Sequence, residues 1–256
     1  MIKKAKNKNI IIAYKPIGKT PLDVIKELKQ KTSSLRDQKI GYAGRLDPMA
    51  FGVLLLLVGD ENKNKKKYED LQKVYDIEIL LGFSTDTYDI LGKIDSRRAD
   101  YKSPDLASIK RVLKSFEGRF DQEYPPYSSK TVNGKPMYYY ARENLLSKIE
   151  KPTKRVEIDK VSGVSKREIS GLDLLALIER RITLVKGDFR QKEIIRLWRK
   201  SLKDLKDREF GVVSLTVKCS SGTYMRSLAN NFGKKMGIPT LSLSINRISI
   251  GDFGSS

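Results

Sequence analysis

The stretch that decides the fold is residues 39–59, which read K-I-G-Y-A-G-R-L-D-P-M-A-F-G-V-L-L-L-L-V-G. Residues 53–58 form a continuous apolar run of strand length, which predicts a strand buried on both faces. Glycines lie on both sides of Asp47, and Pro48 biases Asp47 toward an extended conformation. A lone acid is therefore presented on a stiff loop at the mouth of a buried strand. It fits either a turn aspartate or a functional carboxylate.

The composition limits the partners that this chain can serve. Its 256 residues suffice for one large domain or two small ones. Lysine and arginine number 51 against 31 aspartate and glutamate, a net charge of +20 that predicts a polyanion partner, most simply nucleic acid. A basic membrane-surface protein is the alternative, but no apolar run nears the ~20 residues that span a bilayer.

Cysteine and histidine usage narrows the chemistry further. The one cysteine, Cys219, leaves no internal disulfide and fits a reducing cytoplasm, and the first residues carry too short an apolar segment for a signal peptide. The absence of histidine removes Ser-His and Cys-His nucleophile pairs and the usual zinc ligand sets. We therefore expect chemistry from acids, tyrosine, lysine, arginine or backbone.

Residue spacing predicts further elements around the loop of Asp47. A short strand at 10–14 leads into a turn with Lys15, whose ammonium either contacts phosphate or is solvated. Strict alternation over 74–81 predicts a half-buried strand, and Tyr75 heads its apolar face as a core or functional tyrosine.

The second half of the chain predicts a strand, a turn and a helix in succession. Alternation over 213–219 indicates a half-buried strand, and residues 220–223 then turn the chain into a helix. Arg226 lies in the first turn of that helix, where the helix dipole disfavours a cation. We therefore expect Arg226 to have an anionic partner elsewhere. The spacing of apolar residues among basic ones over 171–208 also predicts helix.

Several short motifs occur in a fixed order along the chain. They are Lys15-Pro16-x-Gly18, the G-x-x-G-x-L-D-P-x-A-x-G frame from Gly41 to Gly52, Thr85-Asp86-Thr87-x-Asp89-x-x-Gly92, Pro125-Pro126-x-Ser128, Gly134-Lys135-Pro136-x-Tyr138 with Ala141-Arg142, and Cys219-Ser220-x-Gly222-Thr223-Tyr224-x-Arg226. Their order resembles that of the TruB family, the bacterial tRNA pseudouridine-55 synthases, over roughly residues 10–253. Each motif alone is weak, whereas several in register are specific.

The resemblance implies an α/β (α+β) fold, the pseudouridine synthase fold, with a long, mixed, mainly antiparallel sheet, flanking helices and a central cleft. It implies a single catalytic domain over residues 1–256, with a helical insertion at 171–208 and without the C-terminal RNA-binding (PUA-like) domain common in the family. The implied reaction isomerises uridine 55 in the T-loop of tRNA without cofactor or metal. We expect a cytoplasmic monomer that binds the T-arm, with no membrane or protein partner.

The resemblance also assigns site residues by position. Asp47 matches the catalytic aspartate, Tyr75 the tyrosine beside the target base, and Arg226 the arginine paired with that aspartate. A carboxylate can act as nucleophile or base, at the sugar or at the pyrimidine ring, and the sequence does not distinguish these roles. The predicted substrate-binding residues are Lys15, Pro16, Tyr42, Gly44 and Arg45.

Two residues depart from the family pattern. Tyr42 stands where the family usually has histidine; it can stack but cannot carry a proton in the same way. Arg45 replaces a small polar residue, and the resulting G-R-L-D form is also similar to ribosomal-RNA pseudouridine synthases, which keeps ribosomal RNA as an alternative target. A non-catalytic RNA chaperone is a further alternative, but it would not need Asp47, Tyr75 and Arg226 together.

The insertion carries both an apolar stripe and a large basic surface. Because phosphate contacts position RNA without reading its sequence, this surface could replace those of a missing RNA-binding domain. We expect the insertion to dock on the catalytic domain and grip tRNA outside the T-loop; a solvated helical excursion is the alternative. Its basic residues are Arg180, Arg181, Lys186, Arg190, Lys192, Arg196, Arg199, Lys200, Lys203, Lys206 and Arg208.

Overall fold

The computed structural model describes residues 2–4 and 7–254. Residues 1, 5, 6, 255 and 256, which the predicted domain of 1–256 includes, lie outside the described residues. The strands in chain order are β1 (Ile2–Lys4), β2 (Ile10–Lys15), β3 (Ile40–Ala43), β4 (Ala50–Val58), β5 (Lys73–Leu81), β6 (Phe83–Thr85), β7 (Ile94–Arg97), β8 (Gly118–Glu123), β9 (Thr131–Val132), β10 (Lys135–Pro136), β11 (Thr153–Ser170), β12 (Glu209–Cys219), β13 (Thr240–Ile250) and β14 (Phe253–Gly254).

Helices connect these strands. They are α1 (Pro21–Lys31), α2 (Lys65–Glu69), α3 (Leu106–Lys114), α4 (Met137–Arg142), α5 (Gly171–Thr183), α6 (Gln191–Leu202) and α7 (Met225–Met236). Short 3-10 helices lie at Ser33–Leu35, Gly59–Asn64 and Leu146–Lys148. Of the helices within 2–4 and 7–254, none is long and apolar enough to cross a membrane.

Ten of the described strands form one sheet with the order β1-β2-β4-β13-β5-β12-β11-β8, to which β3 adds beside β4 and β14 beside β13. The pairing of β13 with β4 is parallel, and the other pairings in this sheet are antiparallel. Strands β6 and β7, and β9 and β10, form separate two-stranded ribbons. The predicted long, mixed, mainly antiparallel sheet with flanking helices is confirmed.

Strand β4 is buried on both faces, as the apolar run predicted. Alternate side chains point to opposite faces of a strand. One set belongs to a cluster with Ile10 and Ala43, and the other belongs to a cluster with Ile25 and Leu28, which lie on α1. Because both of its faces are packed against other residues, β4 is held in place. It therefore fixes the end of the loop that carries Asp47. The two sets are Val53, Leu55 and Leu57, and Leu54, Leu56 and Val58.

Residues 171–208 form two helices rather than one. The loop between α5 and α6 contains Gly187, whose φ of +89° suits glycine. Both helices bury an apolar stripe in the main core, and the Trp198 ring lies 5.1 Å from that of Phe83. This segment is therefore docked on the sheet. The buried stripes are Leu174, Ile178 and Ile182 of α5, and Ile194, Trp198 and Leu202 of α6.

Candidate active site

A cavity of about 660 Å³ opens where the loop before β4, the strands β5 and β13, and the start of α7 meet. Its volume lies within the range of small-molecule sites, roughly 300–1,000 Å³. Five of the eight predicted site residues line it: Gly44, Arg45, Asp47, Tyr75 and Arg226.

The loop that carries Asp47 is fixed by backbone hydrogen bonds. The Ala50 amide donates to the Asp47 carbonyl at 3.1 Å, which closes a turn into β4. The Gly18 amide donates to the Pro48 carbonyl at 2.9 Å, so the turn after β2 holds the loop from the side. These contacts leave the Asp47 side chain 32% exposed and facing the cavity. A carboxylate in this position is open to a ligand yet held by its own backbone.

Arg226 reaches Asp47 from the first turn of α7. Its Nε donates to Asp47 Oδ2 at 2.8 Å, so the predicted pairing of these two residues is confirmed. The Arg226 side chain is only 4% exposed. Burial disfavours the charged guanidinium, but the Asp47 and Asp89 carboxylates outweigh it and raise the pKa of Arg226. Charge-assisted bonds of this kind are shorter and stronger than neutral ones, so Arg226 orients Asp47.

The remaining nitrogens of Arg226 bind two backbone carbonyls. Nη1 donates to the Thr87 carbonyl at 2.8 Å, and Nη2 donates to the Tyr127 carbonyl at 3.4 Å. The planar guanidinium is thus held at three sides by fixed acceptors. Neither Thr87 nor Tyr127 was predicted as a site residue, because a backbone acceptor leaves no trace in the side chain.

Asp89 is a second carboxylate near Arg226 that the sequence analysis did not assign to the site. Its Oδ2 lies 3.9 Å from Arg226 Nε, and its Oδ1 accepts hydrogen bonds from Thr87 Oγ1 and from the Leu91 amide. Burial raises the pKa of the Asp89 carboxyl, and the Arg226 guanidinium opposes that rise. Arg226 therefore lies between two acids that both line the cavity, Asp47 partly exposed and Asp89 buried.

Tyr75 lies on β5 with its side chain at the cavity. It faces Val217 of β12 and Arg247 of β13 in the two neighbouring strands. Burial raises the pKa of the Tyr75 hydroxyl, and the Arg247 cation opposes that rise. The phenol therefore stays protonated and presents a flat, neutral ring to the cavity.

Arg247 braces the floor of the site and was missed as a site residue. Its Nε donates to the Val53 carbonyl at 2.8 Å, and its Nη2 donates to the Gly44 carbonyl at 2.9 Å. A side chain at Gly52, where φ is +108°, would meet the Arg247 backbone. The sequence did hold a signal. Arg247 follows Leu241, Leu243 and Ile245 at two-residue spacing, which places a cation at the end of an apolar alternation, although a bulge between Ser242 and Ser244 shifts the faces in the structure.

The prediction that Lys15 and Pro16 bind substrate is wrong, because neither residue lines the cavity. The Lys15 side chain is fully buried, and its Nζ donates to the carbonyls of Pro16, Lys19 and Pro48. Burial lowers the pKa of Lys15 to about 8, although Asp47 opposes that shift. Lys15 is therefore neither a phosphate contact nor a solvated lysine. It ties the turn after β2 to the loop of Asp47.

The prediction that Tyr42 binds substrate is also wrong. Its ring packs beside the cluster formed by α1 and the outer strands, and the Lys65 ammonium lies 5.4 Å from the ring centroid. It is not among the residues that line the cavity. Tyr42 lies on β3, and its neighbour Ala43 belongs to the cluster on the opposite face of β4. The alternation of the strand thus turns Tyr42 toward α1.

The geometry defines a carboxylate-based site. One oriented carboxylate faces the cavity beside a neutral tyrosine, and a buried arginine anchors the carboxylate from behind. In the part of the chain that the structure describes, no group of three or more His, Cys, Asp or Glu side chains could hold a metal ion.

Comparison with solved structures identifies the class of fold. The structure titled "Crystal Structure of a Cbf5-Nop10-Gar1 Complex" matches with a TM-score of 0.58 and 18% identity, over 96% of this chain and 50% of that chain. The "Structure of H/ACA RNP bound to a substrate RNA containing 2'-deoxyuridine" matches with a TM-score of 0.54 and 17% identity, over 96% and 49%. The fold is therefore the pseudouridine synthase fold.

Comparison of sequences identifies the family. The model described as TruB family pseudouridylate synthase (N terminal domain) matches residues 31–188, and the chain belongs to this family. The tRNA pseudouridine synthase B of Thermotoga maritima is 33% identical over 94% of this chain, and that of Bacillus subtilis is 30% identical over 95%. The chain spans 62% and 65% of the length of these two relatives.

Proposed function

We propose that this chain is a tRNA pseudouridine synthase that isomerises uridine 55 in the T-loop of tRNA, with Asp47 as the catalytic carboxylate. The observation that carries the proposal is the pairing of Asp47, open to the cavity, with the buried Arg226 at 2.8 Å. The names of the relatives and the net charge of +20 support an RNA substrate.

The proposed reaction requires a positioned carboxylate and a path for one proton. The N1–C1′ bond of uridine breaks, a C5–C1′ bond forms, and the proton lost from C5 is balanced by one gained at N1. No oxidant, reductant or co-reactant is consumed. Asp47 acts as nucleophile or base on the sugar or the ring. Its orientation by Arg226 fixes the attacking oxygen before the substrate arrives.

The cavity accommodates a base that has left its stack. Extrusion of a base costs a few kcal/mol, and stacking on an aromatic ring in the site offsets part of this cost. Tyr75 offers such a ring at the cavity wall. In this proposal Gly44 permits close approach of the RNA beside Asp47, and Arg45, which is exposed at the mouth, contacts the RNA backbone.

The test incubates the protein with an unmodified tRNA transcript and maps pseudouridine along its length. We expect a single product at position 55. Asp47→Asn is nearly isosteric and should form no detectable pseudouridine, while its affinity for tRNA, measured by filter binding, stays within about threefold of wild type. Substantial activity of a folded Asn variant would overturn the role of Asp47.

Ribosomal RNA serves as the competing substrate in the same assay, because the exposed Arg45 departs from the family pattern. Modification of ribosomal RNA fragments with tRNA left unmodified would transfer the proposal to the ribosomal alternative. Binding of either RNA without any product would support the RNA chaperone instead.

A further inference from the structure

Arg190 lies outside the family motifs, in the loop that joins α5 to α6, yet it lines the cavity. Its φ is +64°, a left-handed conformation that is uncommon for a residue other than glycine. Such strain persists only where the surrounding structure holds it in place. Its side chain is 19% exposed. A strained, largely buried arginine at this position requires an explanation.

The guanidinium of Arg190 grips Asp86 with two nitrogens. Nη1 donates to Asp86 Oδ2 at 2.6 Å, and Nη2 donates to Asp86 Oδ1 at 3.3 Å. The same guanidinium lies 4.5 Å from the centroid of the Tyr127 ring, whose hydroxyl also donates to Asp86 Oδ2 at 3.2 Å. Arg190 therefore ties together the turn after β6 and the segment that precedes β9.

These two segments supply the carbonyls that hold Arg226. The turn after β6 provides the Thr87 carbonyl, one residue after Asp86, and the other segment provides the carbonyl of Tyr127 itself. A continuous series of contacts thus runs from Arg190 through Asp86 and Tyr127 to Arg226, and from there to Asp47.

We infer that Arg190 is a positioning residue for the Arg226–Asp47 pair, so that the segment 171–208 takes part in the reaction and not only in RNA binding. This inference rests on the proposed function. Arg190 touches neither Arg226 nor Asp47. It acts by fixing the two carbonyls that set the plane of the Arg226 guanidinium. A displacement of about 1 Å at a reacting group can slow an enzyme by roughly 100-fold.

The inference requires the forked shape of arginine. Lysine carries the same charge, but as a point charge it cannot make the bidentate contact with Asp86 while stacking on Tyr127. We therefore expect Arg190→Lys to be nearly as defective as Arg190→Gln. A purely electrostatic role would instead be restored by lysine.

The experiment measures single-turnover pseudouridine formation and tRNA affinity for wild type, Arg190→Gln, Arg190→Lys, Asp86→Asn and the double variant Asp86→Asn/Arg190→Gln. Arg167→Gln is the matched control, because Arg167 also makes an ion pair with an acid, Glu78 at 2.9 Å, away from the cavity. The Arg190 and Asp86 variants should slow the chemical step by ~10- to 100-fold with little change in the dissociation constant. The double variant should be no slower than the slower single variant, because both remove one contact.

Rates within twofold of wild type, multiplicative losses in the double variant, or an equal loss in Arg167→Gln would each overturn the inference. A loss of tRNA affinity that accounts for the rate would overturn it too, by making Arg190 an RNA contact. A crystal structure of Arg190→Gln gives a second readout that is independent of activity. Unchanged bonds from Arg226 to Thr87, Tyr127 and Asp47 would contradict the inference even if wild type proved inactive, an outcome that would separately refute the proposed function.

Discussion

At the residue scale, the geometry allows Tyr75 two roles in the proposed reaction, stacking and proton transfer. Its ring lines the cavity, so it can stack on an extruded base. Its hydroxyl is kept neutral because burial raises its pKa, so it can donate or relay a proton near C5 of the base. These two roles involve different parts of the side chain, which makes them separable by substitution.

We expect Tyr75→Phe to bind tRNA like wild type and to turn over more slowly, because it keeps the ring and loses the hydroxyl. Tyr75→Leu should also weaken binding, since base–aromatic stacking contributes ~1–3 kcal/mol. Single-turnover rates and filter binding on the same tRNA preparation measure the two effects. If Tyr75→Phe turns over as fast as wild type, only the stacking role remains.

Buried lysines are a second feature at the residue scale. Like Lys15, Lys73 is buried, and its Nζ donates to the backbone carbonyls of Glu69 and Leu71. Burial, followed by the nearby Arg247 cation, lowers the pKa of Lys73 to about 8. By donating to these carbonyls the two lysines tie turns of the chain together, and Lys73 also lines the cavity.

The lowered pKa of Lys73 predicts how stability depends on pH. Between about 8 and 10.5 the unfolded chain still binds a proton that the folded chain has released, so the free energy of unfolding should rise with pH. Lys73→Met removes this contribution. We expect its free energy of unfolding to increase less than that of wild type from pH 8 to pH 10, by on the order of 1–3 kcal/mol.

Urea titrations at several pH values measure this difference. Lys110→Met, at an exposed position on α3, is the matched control and should retain the slope of wild type. Parallel pH dependences for wild type and Lys73→Met would show that Lys73 titrates equally in both states.

At the scale of elements, some strands were predictable and others were not. Strand β4 was visible because both of its faces are buried, which leaves an uninterrupted apolar run. Strand β11, 18 residues long, went unpredicted because only Val156 and Ile158 are buried in it and its remaining positions are partly or fully exposed. The break between α5 and α6 was missed because a helix pattern can tolerate one glycine, and Gly187 does not reveal its φ from sequence.

The site likewise contains contacts that the sequence predicted and contacts that it did not. The pairing of Asp47 with Arg226 was predictable, because motif order and an unfavourable helix position both pointed to it. Asp89 was not, since of the two acids in its turn only the fold decides which faces inward: Asp86 pairs with Arg190 and Asp89 lies near Arg226. Backbone carbonyls that accept from a distant side chain, such as those of Thr87 and Tyr127 with Arg226, carry no local sequence signal.

That the segment 171–208 grips RNA stays a prediction, and the structure shows which of its basic side chains are free to do so. Four of its arginines bind the protein itself: Arg190 binds Asp86, Arg199 binds Glu179, and Arg181 and Arg208 donate to the carbonyls of Leu243 and Ala99. A second set is exposed along α6 and at the residue that caps its C-terminus, at spacings of three or four residues, on the face opposite the buried stripe. This exposed basic stripe consists of Lys192, Arg196, Lys200 and Lys203.

We expect replacement of the whole basic stripe by glutamine to weaken binding of full-length tRNA by about tenfold or more near physiological salt, because phosphate contacts are lost. Binding of an isolated T-arm hairpin should change by less than about twofold. This variant is sharper than excision of 171–208, which would expose the core around Trp198. Equal effects on both RNAs would leave the insertion without a role outside the T-arm.

The control for this experiment removes the same charge elsewhere. Lys102, Lys110, Arg111 and Lys114 are exposed on and before α3, and their replacement by glutamine changes the net charge by the same amount. If this control weakens tRNA binding as much as the stripe variant does, the effect is one of total charge, and the prediction of a specific surface on α6 is wrong.

At the scale of the whole molecule, the protein carries many more lysine and arginine side chains than its ion pairs use. Ion pairs with lysine or arginine use part of the acidic side chains, such as Glu27, Glu78, Asp86 and Glu179. The net charge of +20 therefore belongs largely to unpaired surface lysines and arginines. Such a field attracts a polyanion over several ångströms and raises its association rate.

The last prediction follows from this field. Each phosphate that the protein neutralises releases condensed counterions, so the logarithm of the binding constant should fall linearly with the logarithm of salt concentration, by ~0.7–0.9 per contact. With six or more contacts, affinity for tRNA should drop at least ~300-fold between 50 and 200 mM salt. The stripe variant should lower the slope by up to about three units, whereas Asp47→Asn, which removes no cation, should keep it. A flat dependence for wild type would mean that tRNA is held by stacking and hydrogen bonds rather than by charge.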